Sequence, residues 1–125
     1  MFKGSIPAVI TPFDTNKSID YDKLNKHIDF LIDQESHGLV SCGTTGESPT
    51  LDHEEHKKIT EAIIKRSNKR VPVMAGCGSN STKESIELVK HAHSVGANAS
   101  LLVSPYYNKP SQDGLFQHFS EIANS

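Results

Sequence analysis

Tryptophan is absent, and the 125 residues hold only two cysteines, Cys42 and Cys77. Two thiols at the ends of two predicted strands cannot make a disulfide framework, and neither has the sequence neighbours a zinc site needs, so both read as buried, reduced side chains. An excess of either charge is missing too. The 13 Lys and Arg stand against 15 Asp and Glu, scattered without runs, which removes the electrostatic footprint of a nucleic-acid or membrane-surface binder. There is no long apolar run. The longest are strand-sized, and the opening "MFKGSIPAVITPF" has one lysine, prolines and no extended apolar core, so neither a signal peptide nor a spanning helix is expected and the protein reads as cytoplasmic. The length fits one domain with one moderate core, and small-molecule chemistry becomes the better expectation.

What is present is a beat. Four short apolar runs begin at 5, 38, 71 and 99: "SIPAVITPF", "GLVSCG", "VPVMAGCG" and "ASLLVSPYY". Each is followed by a helical pattern. Tyr21, Leu24, Ile28, Leu31 and Ile32 share one face; so do Ile59, Ala62 and Ile63; so do Ile86, Val89 and His93 or Ala92; and Leu115, Phe119 and Ile122 open a fourth. "DHEE" from Asp52 and "STKE" from Ser81 read as capping boxes, with Gly38 and Gly96 as C-caps. Strands apolar almost throughout, alternating with helices, mean parallel strands covered by helices: a doubly wound sheet or a piece of a barrel. Periodicity does not choose between them. In both, ligands gather at the carboxyl ends of the strands, which here read "TPF", "GTTGES", "GCGSNS" and "SPYYNKP".

The Gly-Thr-Thr-Gly-Glu stretch offers backbone N–H groups and two hydroxyls together, the equipment for holding a small anion, although glycine and threonine are equally ordinary turn residues. "AGCGSNSTKES" begins like a dinucleotide fingerprint, but Ser81 stands where the third glycine belongs and no acid follows at the required distance. "HEEH" places His53 and His56 at i and i+3, whereas zinc proteases use i and i+4, so no metal is expected there. Tyr106 and Tyr107, at an expected strand end, point to opposite sides, so that one could face the site and the other a neighbour, although paired tyrosines are more often packing residues. A tyrosine and a threonine hydroxyl in line can relay protons.

Taken in order and without apparent gaps, "GSIPAVITPF", "GTTGES", "DHEEH", "AGCGSNST" and "SPYYNKPSQDGLFQHF" resemble the N-terminal half of the dihydrodipicolinate synthase family. The double threonine and "YYN" are more similar to this family than to related pyruvate-dependent sugar-acid lyases such as N-acetylneuraminate lyase. The resemblance implies a (β/α)8 TIM barrel, of which residues 1–125 would form four βα units, a half-barrel ending within or just after the fourth helix. It implies a lyase that condenses pyruvate, held as a Schiff base on a lysine, with aspartate semialdehyde on the way to diaminopimelate and lysine, with no cofactor and no metal. By the same resemblance Thr45 binds the pyruvate carboxylate, Thr44 and Tyr107 belong to a proton relay, and Tyr107 reaches into a neighbouring subunit of a homo-oligomer. Ser48, His53, His56, Asn80, Glu84 and Tyr106 match the family's feedback site for L-lysine.

A complete barrel needs ~250 residues, and the family's Schiff-base lysine lies on a later strand. Half a site is therefore expected in this chain, inactive alone. The other class of reading is a non-catalytic half-barrel that serves as a binding or interaction module.

Overall fold

The computed structural model describes residues 2–125. Four helices form where the periodicity and capping residues put them. α1 spans Tyr21–Asp33, and the Asp20 carboxylate accepts from the Lys23 N–H at 2.9 Å. α2 spans His53–Ser67 behind a complete capping box: Asp52 accepts from the Glu55 N–H at 2.8 Å, and Glu55 accepts from the Asp52 N–H at 3.0 Å. Acidic Glu54 and Glu55 in its first turn and basic Lys65 and Arg66 in its last both suit the helix dipole. α3 spans Thr82–Ser94 and α4 spans Gln112–Ala123, capped by Ser81 and Ser111.

Three strands, β1 (Leu39–Ser41), β2 (Val73–Gly76) and β3 (Ala99–Leu101), form a parallel sheet in the order β1-β2-β3. Leu39 lies opposite Val73, and Met74 opposite Ala99. The strand expected over 5–13 is reduced to a single parallel bridge, Ala8 to Val40, because Pro7 and Pro12 have no N–H to give a ladder. Val9 N–H nevertheless reaches the Val40 carbonyl, and Val40 N–H the Pro7 carbonyl, both at 2.9 Å, so this segment lies beside β1 as a fourth, minimal strand. The last run is also shorter than expected: β3 stops at Leu101.

Strand side chains alternate between faces, and only one face is covered by helices. Val9, Leu39 and Val73 pack with Leu24 and Ile28 of α1 and with Ile59 and Ile63 of α2; Ala75 and Cys77 pack with Leu88 and Ala92 of α3. α1 packs on α2, α2 on α3 and α3 on α4. A doubly wound sheet has helices on both faces, whereas a barrel keeps them all outside. The architecture is an arc of a parallel (β/α)8 barrel, with Ala8, Ile10, Val40, Met74, Leu101 and Val103 on the inner side. Ile10, Leu101 and Val103 there are 45%, 44% and 47% exposed.

Some local expectations need correction. Gly38 is not a C-cap; α1 ends at Gln34, and the left-handed turn falls on Glu35, φ 61°. Gly96, φ 94°, does follow the Val95 cap of α3. The buried stripe of α3 is Ser85, Leu88 and Ala92, with Ile86 and Val89 half-buried and His93 exposed. Its capping box is half made: Ser81 Oγ accepts from the Glu84 N–H at 3.4 Å, but the Glu84 carboxylate is engaged elsewhere. On the outer surface, Arg66 and then Arg70 hold the Asp29 carboxyl down at about 2.

Ile63 is fully buried between α1 and the sheet, while Phe30 is 58% exposed. Ile63→Ala is expected to cost about 2–5 kcal/mol in urea unfolding, and Phe30→Ala no more than about 0.5 kcal/mol. Equal losses would contradict the packing described.

Candidate functional site

β1 leads into the site through a buried, hydrogen-bonded end. Ser41 Oγ lies 3.1 Å from Thr60 Oγ1 on α2, and Cys42 then turns the chain with a left-handed φ of 48°. The Cys42 thiol sits against the His56 carbonyl (3.5 Å) and Thr60 Oγ1 (3.7 Å). Burial pushes it up to about 12 and pushes Cys77 up as well. Both are free, buried thiols with little nucleophilic character at neutral pH.

Thr44–Gly46 is one 3₁₀ turn, closed by the Gly46 N–H on the Gly43 carbonyl and the Glu47 N–H on the Thr44 carbonyl, both at 3.0 Å. Its bonds use donors at its end; the N–H groups of Thr44 and Thr45 at its entry are left to other acceptors. Glu47, φ 57°, passes the chain to a second such turn, Ser48–Thr50, which leads into α2.

Two cavities open at this end of the sheet. The first, about 190 Å³, lies over the carboxyl ends of all three strands and is walled by Gly43, Thr44, Gly76, Leu101 and Val103, with Ser48, Pro49, Gly78 and Tyr106 at its border. Its walls are mainly apolar apart from the threonine turn, so a carboxylate there would find its polar partners in that turn. The second, about 120 Å³, shares Ser48, Pro49, Gly78 and Tyr106 and continues to His53, His56 and Glu84.

The second cavity is polar. Glu84 accepts from Ser79 Oγ and lies 2.7 Å from His53 Nε2. His56 is buried, and its Nε2 has no partner among the described residues. Burial, then the proximity of His53 and His91, pulls the His56 imidazole below the ordinary histidine value, so the neutral ring is favoured. Asn80 Nδ2 donates to the Tyr106 carbonyl at 3.3 Å and fixes the backbone of that wall.

The sequence-predicted residues therefore divide. Thr44, Ser48 and Tyr106 meet at the first cavity, and Ser48, His53, His56, Glu84 and Tyr106 at the second. Thr45 is exposed on the turn, Asn80 acts on the Tyr106 backbone, and Tyr107, φ 68° and 94% exposed, projects away from the body. Sequence reasoning did not single out Ser79, which holds Glu84, or Thr11, whose hydroxyl donates to the Gly46 carbonyl at 2.7 Å. A hydroxyl at a strand position next to buried Val9 was the available signal for Thr11.

His56 gives the fold a dependence on pH with a definite sign. Its folded-state pKa lies below 6.5, so the unfolded chain binds more protons, and stability should fall as pH drops from 6.5 toward the folded value. Denaturant midpoints from pH 8 to 5 should show this, and His56→Gln should flatten that part of the profile; an NMR titration midpoint at or above 6.5 for His56 would refute it.

The chain matches the dihydrodipicolinate synthetase family over residues 1–125. The 4-hydroxy-tetrahydrodipicolinate synthase of Rhizobium meliloti is 58% identical over 125 residues, which cover 100% of this chain and 42% of that protein. Among solved structures, dihydrodipicolinate synthase from Aquifex aeolicus aligns with a TM-score of 0.96 at 49% identity, over 98% of this chain and 42% of that one. The chloride-inhibited dihydrodipicolinate synthase from Acinetobacter baumannii, in complex with pyruvate, aligns with a TM-score of 0.97 at 48% identity, over 99% and 43%. The chain thus spans well under half the length of the relatives it matches. Within that span no residue falls outside the match, and the chain belongs to the dihydrodipicolinate synthetase family.

Proposed function

We propose that residues 1–125 provide the first four βα units of a (β/α)8 lyase that condenses pyruvate, bound as an imine on a lysine, with aspartate semialdehyde to give 4-hydroxy-tetrahydrodipicolinate in the cytoplasm. One observation carries the reading: the Gly-Thr-Thr-Gly-Glu turn opens on an apolar cleft at the carboxyl end of β1, in a chain 58% identical throughout to an enzyme of that name. The Thr45 hydroxyl and the N–H groups at the entry of the turn hold the pyruvate carboxylate. The apolar walls strengthen those bonds by lowering the local dielectric. Thr44 and Tyr107 then pass the protons that imine formation and aldol addition require. Tyr107 projects from its own body, which suits a residue donated to a neighbouring copy in a homo-oligomer.

The imine-forming amine belongs to a part of the barrel beyond these units. None of the chain's lysines is buried, and Lys109, in the loop after the tyrosines, is exposed, so no ammonium here is desolvated enough to become a nucleophile. Borohydride treatment with pyruvate should leave the 125-residue chain unlabelled. Joined to the remaining barrel segment of the Rhizobium meliloti relative, it should yield one trapped pyruvate and turnover. In that chimera Thr44→Val and Tyr107→Phe should each lower kcat by about 10²-fold or more, with a smaller change in KM. Unchanged kcat in both would refute the relay, and a stoichiometric adduct on the chain alone would refute the placement of the lysine.

The second cavity suits L-lysine as a feedback effector. Glu84 is an acceptor for ammonium hydrogens and Ser48 a donor for a carboxylate, with His53 and His56 lining the same cavity. In the chimera, Glu84→Gln should raise the lysine concentration for half-inhibition by about tenfold, the scale of one charge-assisted hydrogen bond. Inhibition identical to the unsubstituted chimera would remove Glu84 from the site.

A further inference from the structure

We propose that Thr11 is a positioning residue for the Thr44–Gly46 turn: its hydroxyl fixes where that turn presents its N–H groups. The inference rests on the carboxylate-binding reading of the turn only for its ligand, not for the geometry. Thr11 is 5% exposed, and its Oγ1 donates to the Gly46 carbonyl at 2.7 Å across 35 positions of sequence. Among the described residues it makes the one side-chain hydrogen bond to residues 43–46. The turn has no side-chain cap at its entry, and its internal bonds are only two. Its orientation is therefore set from outside, at its far end.

Three features make Thr11 a stiff strut. Its own segment is tied to β1 through Val9 N–H to the Val40 carbonyl and Val40 N–H to the Pro7 carbonyl. Pro12 follows it and restricts the Thr11 backbone to extended conformations. Gly46 seats closely on the same segment, where a Cβ would come within 2.9 Å of the Val9 carbonyl oxygen and 3.4 Å of Thr11 Oγ1. Valine has the shape of threonine without the donor, and a buried hydroxyl is costly unless bonded. The hydroxyl is thus explained by the bond it makes to the turn.

The test compares Thr11→Val, which keeps shape and loses the donor, with Thr11→Ser, which keeps the donor, in the 125-residue chain. Thr11→Ala repeats the loss of the donor should valine not be accommodated. Amide hydrogen exchange is followed at Gly46 and Glu47 and, as reference, at Ile59 and Ile63 of α2. The expected result is exchange about tenfold faster at the turn alone in Thr11→Val, the scale of one buried hydrogen bond, with Thr11→Ser close to the unsubstituted chain. Unchanged turn amides in the donor-less variants, equal acceleration in α2, or no rescue by serine would overturn the proposal. Pyruvate titration of the chimera with the remaining barrel segment, followed at the Thr44 and Thr45 amides, separates the two readings. Weaker pyruvate binding in Thr11→Val, restored in Thr11→Ser, supports the positioning role toward that ligand, and binding unchanged by Thr11→Val overturns it. Absence of any pyruvate response at these amides in the unsubstituted chimera overturns the carboxylate reading, with exchange at the turn still deciding the role of Thr11.

Discussion

The site depends on how closely the ends of β1 and β2 approach. At Gly76 a Cβ would collide with the carbonyl of Cys42, so only glycine lets the two strand ends lie side by side while Cys42 turns the chain. That turn, taken at a left-handed φ, throws the Gly-Thr-Thr-Gly-Glu stretch over the sheet instead of along it. The apolar cleft, the threonine turn above it and the run into α2 all follow from this one contact. A larger residue at 76 would force the strand ends apart before it touched any chemical group.

Much of this was legible in the sequence. The helices were marked by period and by caps, and Asp52 with Glu55 formed the reciprocal pair their spacing implies. The four-part beat was also correct, although every strand is shorter than its apolar run and the first is reduced to a bridge. Hydropathy reports burial, but a ladder needs N–H donors, and Pro7 and Pro12 remove them from the first run. The choice between an open sheet and a barrel was invisible to periodicity because it depends on which face the helices cover. The shared parity of Val9, Leu39, Val73 and Ala75 toward the helices decides it.

Residues at the two cavities were harder to read than those of the core. "STKE" has the sequence of a capping box, yet Glu84 forgoes the reciprocal bond to its own helix and turns to Ser79 and His53. A local rule is broken where the side chain has other partners, and such breaks are expected to gather at functional sites. Thr11 is the opposite case. It lies in a run that reads as strand, and its partner is distant in sequence, so a hydroxyl two positions from the buried Val9 is the one local hint that it is more than a packed side chain.

The two cavities have a common partition made of Ser48, Pro49, Gly78 and Tyr106. A displacement of any of these four residues therefore alters the shape of both chambers. Were both chambers occupied, any linkage between the occupants would be reciprocal: whatever factor one ligand imposed on the affinity of the other would be returned unchanged. The proline stiffens that shared lining and the glycine leaves part of it bare of side chain, so both chambers are shaped in part by the same backbone positions.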